Sequence, residues 1–212
     1  PPRDRPAGPP RISASDHAVS DVLMARLRTF LPRHPQIKVE LSTDNGFVDI
    51  VAERFDAGVR MGESLAQDMI AVRIGPDAPF SVAASPAYLE RHGTPAAPQD
   101  LLRHNCINIR LPSRGNLWAW EFEKDGHPLN LKVDGQLVFN NGFDCVDAAV
   151  AGLGVCYMPE GMVTPHVRSG ALVQLLQDWC PVWPGLHLYY PSRRQPSRAM
   201  ALLIAALRYP PA

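Results

Sequence analysis

The sequence predicts an α/β fold built from two lobes, and three observations carry the prediction. Between Arg11 and Met61, strand-like alternation gives way to helical spacing and back, in the order β-α-β-α-β. That order is the pattern of a parallel sheet with helices on its faces. A second series of the same kind begins at Phe80, and a late strand at 186–190 with a helix after Pro196 returns behind it.

The elements follow in order. Residues 1–10 hold five prolines and one glycine and read as a linker remnant. Residues 11–15 form a short strand. Val19, Val22, Leu23, Leu27, Phe30 and Leu31 then recur at helical spacing. Ser15 or Asp16 caps that helix, and Pro32 and Pro35 close it. Ile37, Val39 and Leu41 alternate with Lys38, Glu40 and Ser42, which is the period of a strand. A short helix is expected at 45–53 with Asp44 as its cap, and a strand at 57–61. In the second series 80–84 is a strand, and Pro86 opens a helix that ends at Gly93. Residues 118–139 are rich in strands, with a turn at Lys124-Asp125-Gly126. Asn141-Gly142-Phe143-Asp144 resembles a capping box. The helix behind it turns Val146, Ala149, Val150 and Leu153 inward and stops at Gly152 or Gly154. A strand at 155–158 follows. The last helix carries Met200, Leu203, Ile204 and Leu207 on one face.

Composition narrows the function. The chain has 212 residues and 46% hydrophobic content, enough for a real core. Lys plus Arg and Asp plus Glu number 21 each, so the formal net charge is zero. Phosphate contacts supply most DNA affinity, and a domain that binds DNA by itself carries a basic excess. This chain has none and is not expected to bind DNA specifically. No apolar run reaches the roughly 18 residues of a membrane span, so no membrane partner is expected. The start, Pro1-Pro2-Arg3-Asp4, shows no secretory signal and reads as a cut fragment. Cys106, Cys145, Cys156 and Cys180 form no C-x-x-C pair and read as reduced, mostly buried thiols of a cytoplasmic protein.

Three motifs stand in a fixed order. They are Phe55-Asp56-Ala57-Gly58-Val59-Arg60-Met61-Gly62, Ser85-Pro86-Ala87-Tyr88-Leu89-Glu90-Arg91-His92-Gly93-Thr94-Pro95 and Asp100-Leu101-Leu102-Arg103-His104-Asn105-Cys106-Ile107. At these spacings they resemble the effector-binding domain of LysR-type transcriptional regulators, over about residues 10–208. The resemblance implies two Rossmann-like lobes joined by two crossover strands, as in type 2 periplasmic binding proteins. Lobe I is expected at 11–80 and 187–212 and lobe II at 81–186, with the crossings near 80–85 and 171–188. A winged helix-turn-helix domain and a linker helix are implied upstream, and neither lies in this chain. Also implied are a homodimer or homotetramer, DNA contact only through that upstream domain, and RNA polymerase as a further partner. The helix at 18–31, with Leu23, Met24 and Leu27, is the expected dimer surface.

In open α/β sheets the ligand lies beyond the carboxyl ends of the strands, where helix N-termini point. Such termini favour carboxylates and other anions. Three strand-to-helix junctions qualify: 13–18, 42–45 and 140–143. The resemblance implies that relatives hold effectors at the matching places. The candidate effector-binding residues are Ser13, Ser15, His17, Thr43, Asp44, Asn140, Asn141 and Phe143, with Arg60 available for a carboxylate. Relatives often carry a small hydroxyl residue where His17 stands. Each candidate has a plainer role beside it. Ser15, Asp44 and Asn141 read equally as caps, His17 as a solvent-facing histidine and Arg60 as half of a salt bridge. Glu63, Ser64 and Arg110 are weaker candidates of the same kind.

Catalysis finds little support. His17, His34, His92, His104, His127, His166 and His187 include no i, i+4 pair for zinc, and no cysteine pair supplies one. No nucleophile elbow or phosphate loop is present. His92 and His104 are expected to bond backbone groups. Cys145, near a helix start, is a minor redox candidate, and Trp118, Trp120 and Phe122 alternate as a packed strand. The sequence therefore reads as the effector-sensing half of a transcription regulator, without cofactor, metal or catalysis. It would bind a small organic effector, by preference a carboxylate, between its lobes. A periplasmic solute-binding protein of the same fold is the alternative.

Overall fold

The computed structural model describes residues 8–46, 48–62, 68–110, 115–193 and 195–209. The strands in chain order are β1 (Arg11–Ala14), β2 (Glu40–Thr43), β3 (Ala57–Met61), β4 (Met69–Arg73), β5 (Ala78–Ala84), β6 (Asn108–Ile109), β7 (Trp120–Lys124), β8 (His127–Leu131), β9 (Val138–Phe139), β10 (Cys156–Pro159), β11 (Val173–Leu175), β12 (Val182–Trp183) and β13 (Leu186–Pro191). The helices are α1 (Asp16–Ala18), α2 (Met24–Phe30), α3 (Pro86–His92), α4 (Gly142–Val150), α5 (Glu160–Arg168) and α6 (Arg198–Leu207). The chain divides into two compact units, 1–76 with 184–212, and 77–183. Strand pairing explains where the breaks fall: β5 pairs with β10, β11 and β12, whereas β13 pairs with β3 and β4.

The first unit is a five-stranded sheet in the order β2-β1-β3-β13-β4. β1 runs parallel to β2 and β3, as the β-α-β-α-β reading requires, and β13 runs antiparallel to β3 and β4. Ile12, Ala14, Ala57, Val59 and Leu188 pack with Leu23, Leu27 and Phe30 and with Met200, Leu203, Ile204 and Leu207 of α6. Each fully buried Leu or Ile side chain contributes roughly 1.5–3 kcal/mol. Ser197 caps α6 by accepting the Met200 N–H at 3.2 Å. Pro10 is buried, and its carbonyl accepts the Glu40 N–H at 2.8 Å.

Four expectations for this unit need correction. The helix after β1 is not uniform: α1 passes into a π-helical turn at Val19–Leu23 before α2 begins. There the Ser20 hydroxyl stands 2.6 Å from Asp21 Oδ1 and 3.1 Å from the His17 carbonyl oxygen. Leu23 and Leu27, grouped with Met24 as a dimer surface, point into the core; Met24 remains 42% exposed. No helix forms at 45–53 among the described residues. The Asp44 carboxylate instead closes a turn on the Gly46 N–H at 2.6 Å, and only a single turn follows, with Asp49 accepting from Val51 and Ala52. Asp, Asn and Gly favour such local turns over helix continuation. The strand read at 37–42 begins only at Glu40, and β4 is an additional strand.

In the second unit β5 is the central strand of a four-stranded sheet. One face carries aromatic packing: Tyr157 stacks on Trp120 at 5.4 Å, and Phe80 meets Tyr157 and Trp118 at 5.0 Å each. Trp120 and Phe122 are buried, which fits the packed-strand reading. The other face joins Ala83, Cys156 and Met158 to Val146 and Ala149 of α4 and to Met162 and Val163 of α5. β7 and β8 form the expected hairpin, turning at Asp125 and Gly126, both with positive φ. Leu153 is a correction: it lies beyond α4 and is 51% exposed. Cys106, Cys145 and Cys156 are buried free thiols. Burial pushes the Cys106 and Cys156 thiols up to about 12, which leaves them protonated and inert at neutral pH.

The middle motif is a structural clamp. Ser85 caps α3 by accepting the Tyr88 N–H, and Gly93 ends it. The Tyr88 hydroxyl accepts the Asn105 N–H at 2.9 Å and lies 3.3 Å from His104 Nδ1, while His92 stacks on the Tyr88 ring. Thus His104 meets a side chain, not the backbone group expected for it. Its pKa is lowered by burial first and by His92 second, with Arg103 adding and Asp100 opposing. A depressed folded-state pKa means the unfolded chain binds the proton more readily. The stability His104 contributes is therefore complete above its ordinary value of 6.5 and is lost as pH falls from there through the folded value. The melting temperature should fall between about pH 7.5 and about pH 5, and His104→Gln should fall by less. An equal fall in both proteins would remove His104 as a source.

Candidate functional site

In the first unit the junction after β1 is held by side chains. The carboxyl end of β1 delivers Ser13, which is fully buried, and Ser15, which is 8% exposed. The Ser15 hydroxyl lies 3.1 Å from His17 Nδ1 and makes no capping bond to α1. Asp16 Oδ1 accepts the His17 N–H at 2.7 Å, and the Asp16 N–H donates to Asn45 Oδ1 at 3.0 Å. Thr43 ends β2 and Asp44 follows it; both are exposed. The α1 start therefore already carries a carboxylate of its own, beside amides that side chains engage. His17 is half-buried; burial lowers its pKa, Asp16 and Asp21 oppose that shift, and Arg60 adds to it.

Arg60 lies behind this junction. Its guanidinium donates to the Ser13 carbonyl and hydroxyl, to the Val59 carbonyl and to the Gly46 carbonyl, at 2.8–3.3 Å. The structure thus brings together Ser13, Ser15, His17 and Arg60 with Asp16, Asn45 and Gly46. The roles of Asn45 and Gly46 went unrecognised in the sequence. The signal available was the turn-forming run Asp44-Asn45-Gly46.

In the second unit Asn141 caps α4: its Oδ1 accepts the Asp144 N–H at 2.9 Å, and its amide donates to the Asp144 carboxylate. Asn140 and Asp144 are exposed, and Phe143 projects from the first turn at 44% exposure. The capping reading of Asn141 holds. Asn141→Ala should cost about 1 kcal/mol, read as a shifted denaturation midpoint; no shift would show that the bond is not formed in solution. Arg110 donates to the Gly115 carbonyl and stays exposed. Glu63 and Ser64 lie outside the described residues. Among the described residues no cluster of three or more His, Cys, Asp or Glu could hold a metal, and no helix is long and apolar enough to cross a membrane.

Each of the two α/β units presents polar groups at its strand ends. The LysR substrate binding domain family matches residues 3–209, and the chain belongs to the LysR family of transcriptional regulators. It is 50% identical over 207 residues to a Pseudomonas aeruginosa protein named as a transcriptional regulator, covering 98% of this chain and 68% of that protein. It is 40% identical over 207 residues to the HTH-type transcriptional regulator PgrR of Escherichia coli, covering 98% and 69%. The solved regulatory domain of AphB in Vibrio vulnificus superposes with a TM-score of 0.81 at 24% identity, covering 95% of this chain and 98% of that one. The fold is therefore that of LysR-type regulatory domains, of the type 2 periplasmic-binding-protein kind. The relatives are regulators of transcription, and the chain is a regulatory domain, not an enzyme.

Proposed function

We propose that this chain senses a small organic effector, with a carboxylate as the preferred anchoring group, bound between the two units. The observation that carries the reading is the family match across 3–209. In this reading Ser15, His17, Thr43 and Asp44 contact the effector from the first unit, and Asn140, Asn141 and Phe143 from the second. Ser13 and Arg60 support the first group.

Binding shifts the population between arrangements of the two units, so the effector must bind one arrangement more tightly than the other. The change is passed to a DNA-binding domain elsewhere in the full protein, which acts in the cytoplasm as a homodimer or homotetramer, with RNA polymerase as a further contact. Zero net charge supports the view that this part does not itself hold DNA. A thermal-stability screen of small organic acids against their amides tests the ligand class. The reading expects an acid that raises the melting temperature while its amide does not. Stabilisation by neutral or cationic compounds alone would overturn the carboxylate preference.

A further inference from the structure

We infer that Arg60 is a positioning residue: it fixes the 44–46 turn and, through Asn45, the start of α1. A planar guanidinium can donate in several fixed directions at once, which an ammonium cannot. From β3 it ties down two segments distant in sequence. It reaches Ser13 in β1 and Gly46 in the turn after β2, and it also bonds the carbonyl of its own neighbour Val59. The turn has no regular ladder of its own; its internal bond is Asp44 Oδ1 to the Gly46 N–H, and the Asp44 N–H donates to the Ala14 carbonyl at 2.9 Å. One residue before Gly46, Asn45 Oδ1 receives the Asp16 N–H, the first amide of α1. The path Arg60–Gly46–Asn45–Asp16 therefore joins the two places in the first unit where the proposed contacts stand.

This deepens the effector-site reading, and only its consequence for binding rests on that reading; the coupling belongs to the ligand-free protein. Arg60 would then govern the response by setting where Thr43, Asp44, Ser15 and His17 stand, without touching the effector. Lysine keeps the charge and loses the fork, so it separates geometry from electrostatics.

Amide hydrogen exchange of the ligand-free chain tests the inference in wild type, Arg60→Lys, Arg60→Gln and Asn45→Ala. Both Arg60 variants are expected to raise exchange about tenfold or more in segments 13–18 and 43–46, with α6 and β13 at wild-type protection. Asn45→Ala is expected to raise exchange at 16–18. Wild-type exchange in both segments of Arg60→Lys would overturn the inference. So would a uniform rise across the first unit, or loss of its fold by circular dichroism in both Arg60 variants, since Arg60 would then be a general stabiliser. No effector enters the experiment, so its outcome is separate from failure of the ligand reading.

Discussion

Leu23→Glu is expected to unfold the first unit. Leu23 is 1% exposed and packs between the sheet and α6 with Leu27, Phe30 and Leu203. Glutamate at this position removes the apolar contact and buries a carboxylate with no partner built for it. The cost is about 4 kcal/mol or more, against a total stability of about 5–15 kcal/mol for a typical domain. Circular dichroism and sedimentation should show lost helix and aggregation. A folded, soluble monomer would place Leu23 on a dimer surface and contradict the packing. The contrasting position is Met24, one residue on and 42% exposed, where Met24→Glu should leave the fold intact.

Gly135→Ala should damage the second unit by a steric route. A Cβ at Gly135 would stand 2.0 Å from the Cys106 carbonyl oxygen and 2.7 Å from its nitrogen, both backbone atoms. The Cys106 segment, just before β6, cannot move aside freely. The Cys106 N–H donates to the Asp134 carbonyl at 3.0 Å, and Asn105 Oδ1 accepts the Gln136 N–H at 2.8 Å. These bonds hold the two segments together on either side of Gly135. Relieving the overlap breaks at least one of them, at an expected cost of about 3 kcal/mol. A denaturation midpoint unchanged from wild type would show that this approach is looser than described.

These positions also mark what the sequence made legible. Local rules placed α3, α4 and α6: Pro86 and Gly93 bracket the first, Asn141 caps the second and Pro196 stands just before the third. Periodicity found β1 and β3 and the apolar face of α6 for the same reason. It did not tell that Leu23 packs inward and Met24 outward, since a helix face gains its meaning only from the sheet laid against it. The absent 45–53 helix was a competition between apolar spacing and turn chemistry, which Asp44, Asn45 and Gly46 decided. For the site, the junctions after β1 and β9 could be read from strand-to-helix order, whereas β2 leads into a turn and not into the expected helix. The commitment of Arg60 to Ser13 could not, since that bond spans 47 residues and depends on the parallel pairing of β1 with β3. The engagement of Asp16 with Asn45 is hidden in the same way, across 29 residues.

The central claim is that one small molecule is read by both units at segments beyond the ends of their strands. Chemical-shift mapping of the isotopically labelled chain, titrated with an organic acid that stabilises it, tests this most directly. The account predicts saturable shifts of amides at 13–17 and 43–44 in the first unit together with 140–143 in the second. Shifts confined to one unit, or clustered away from all three segments, would contradict it.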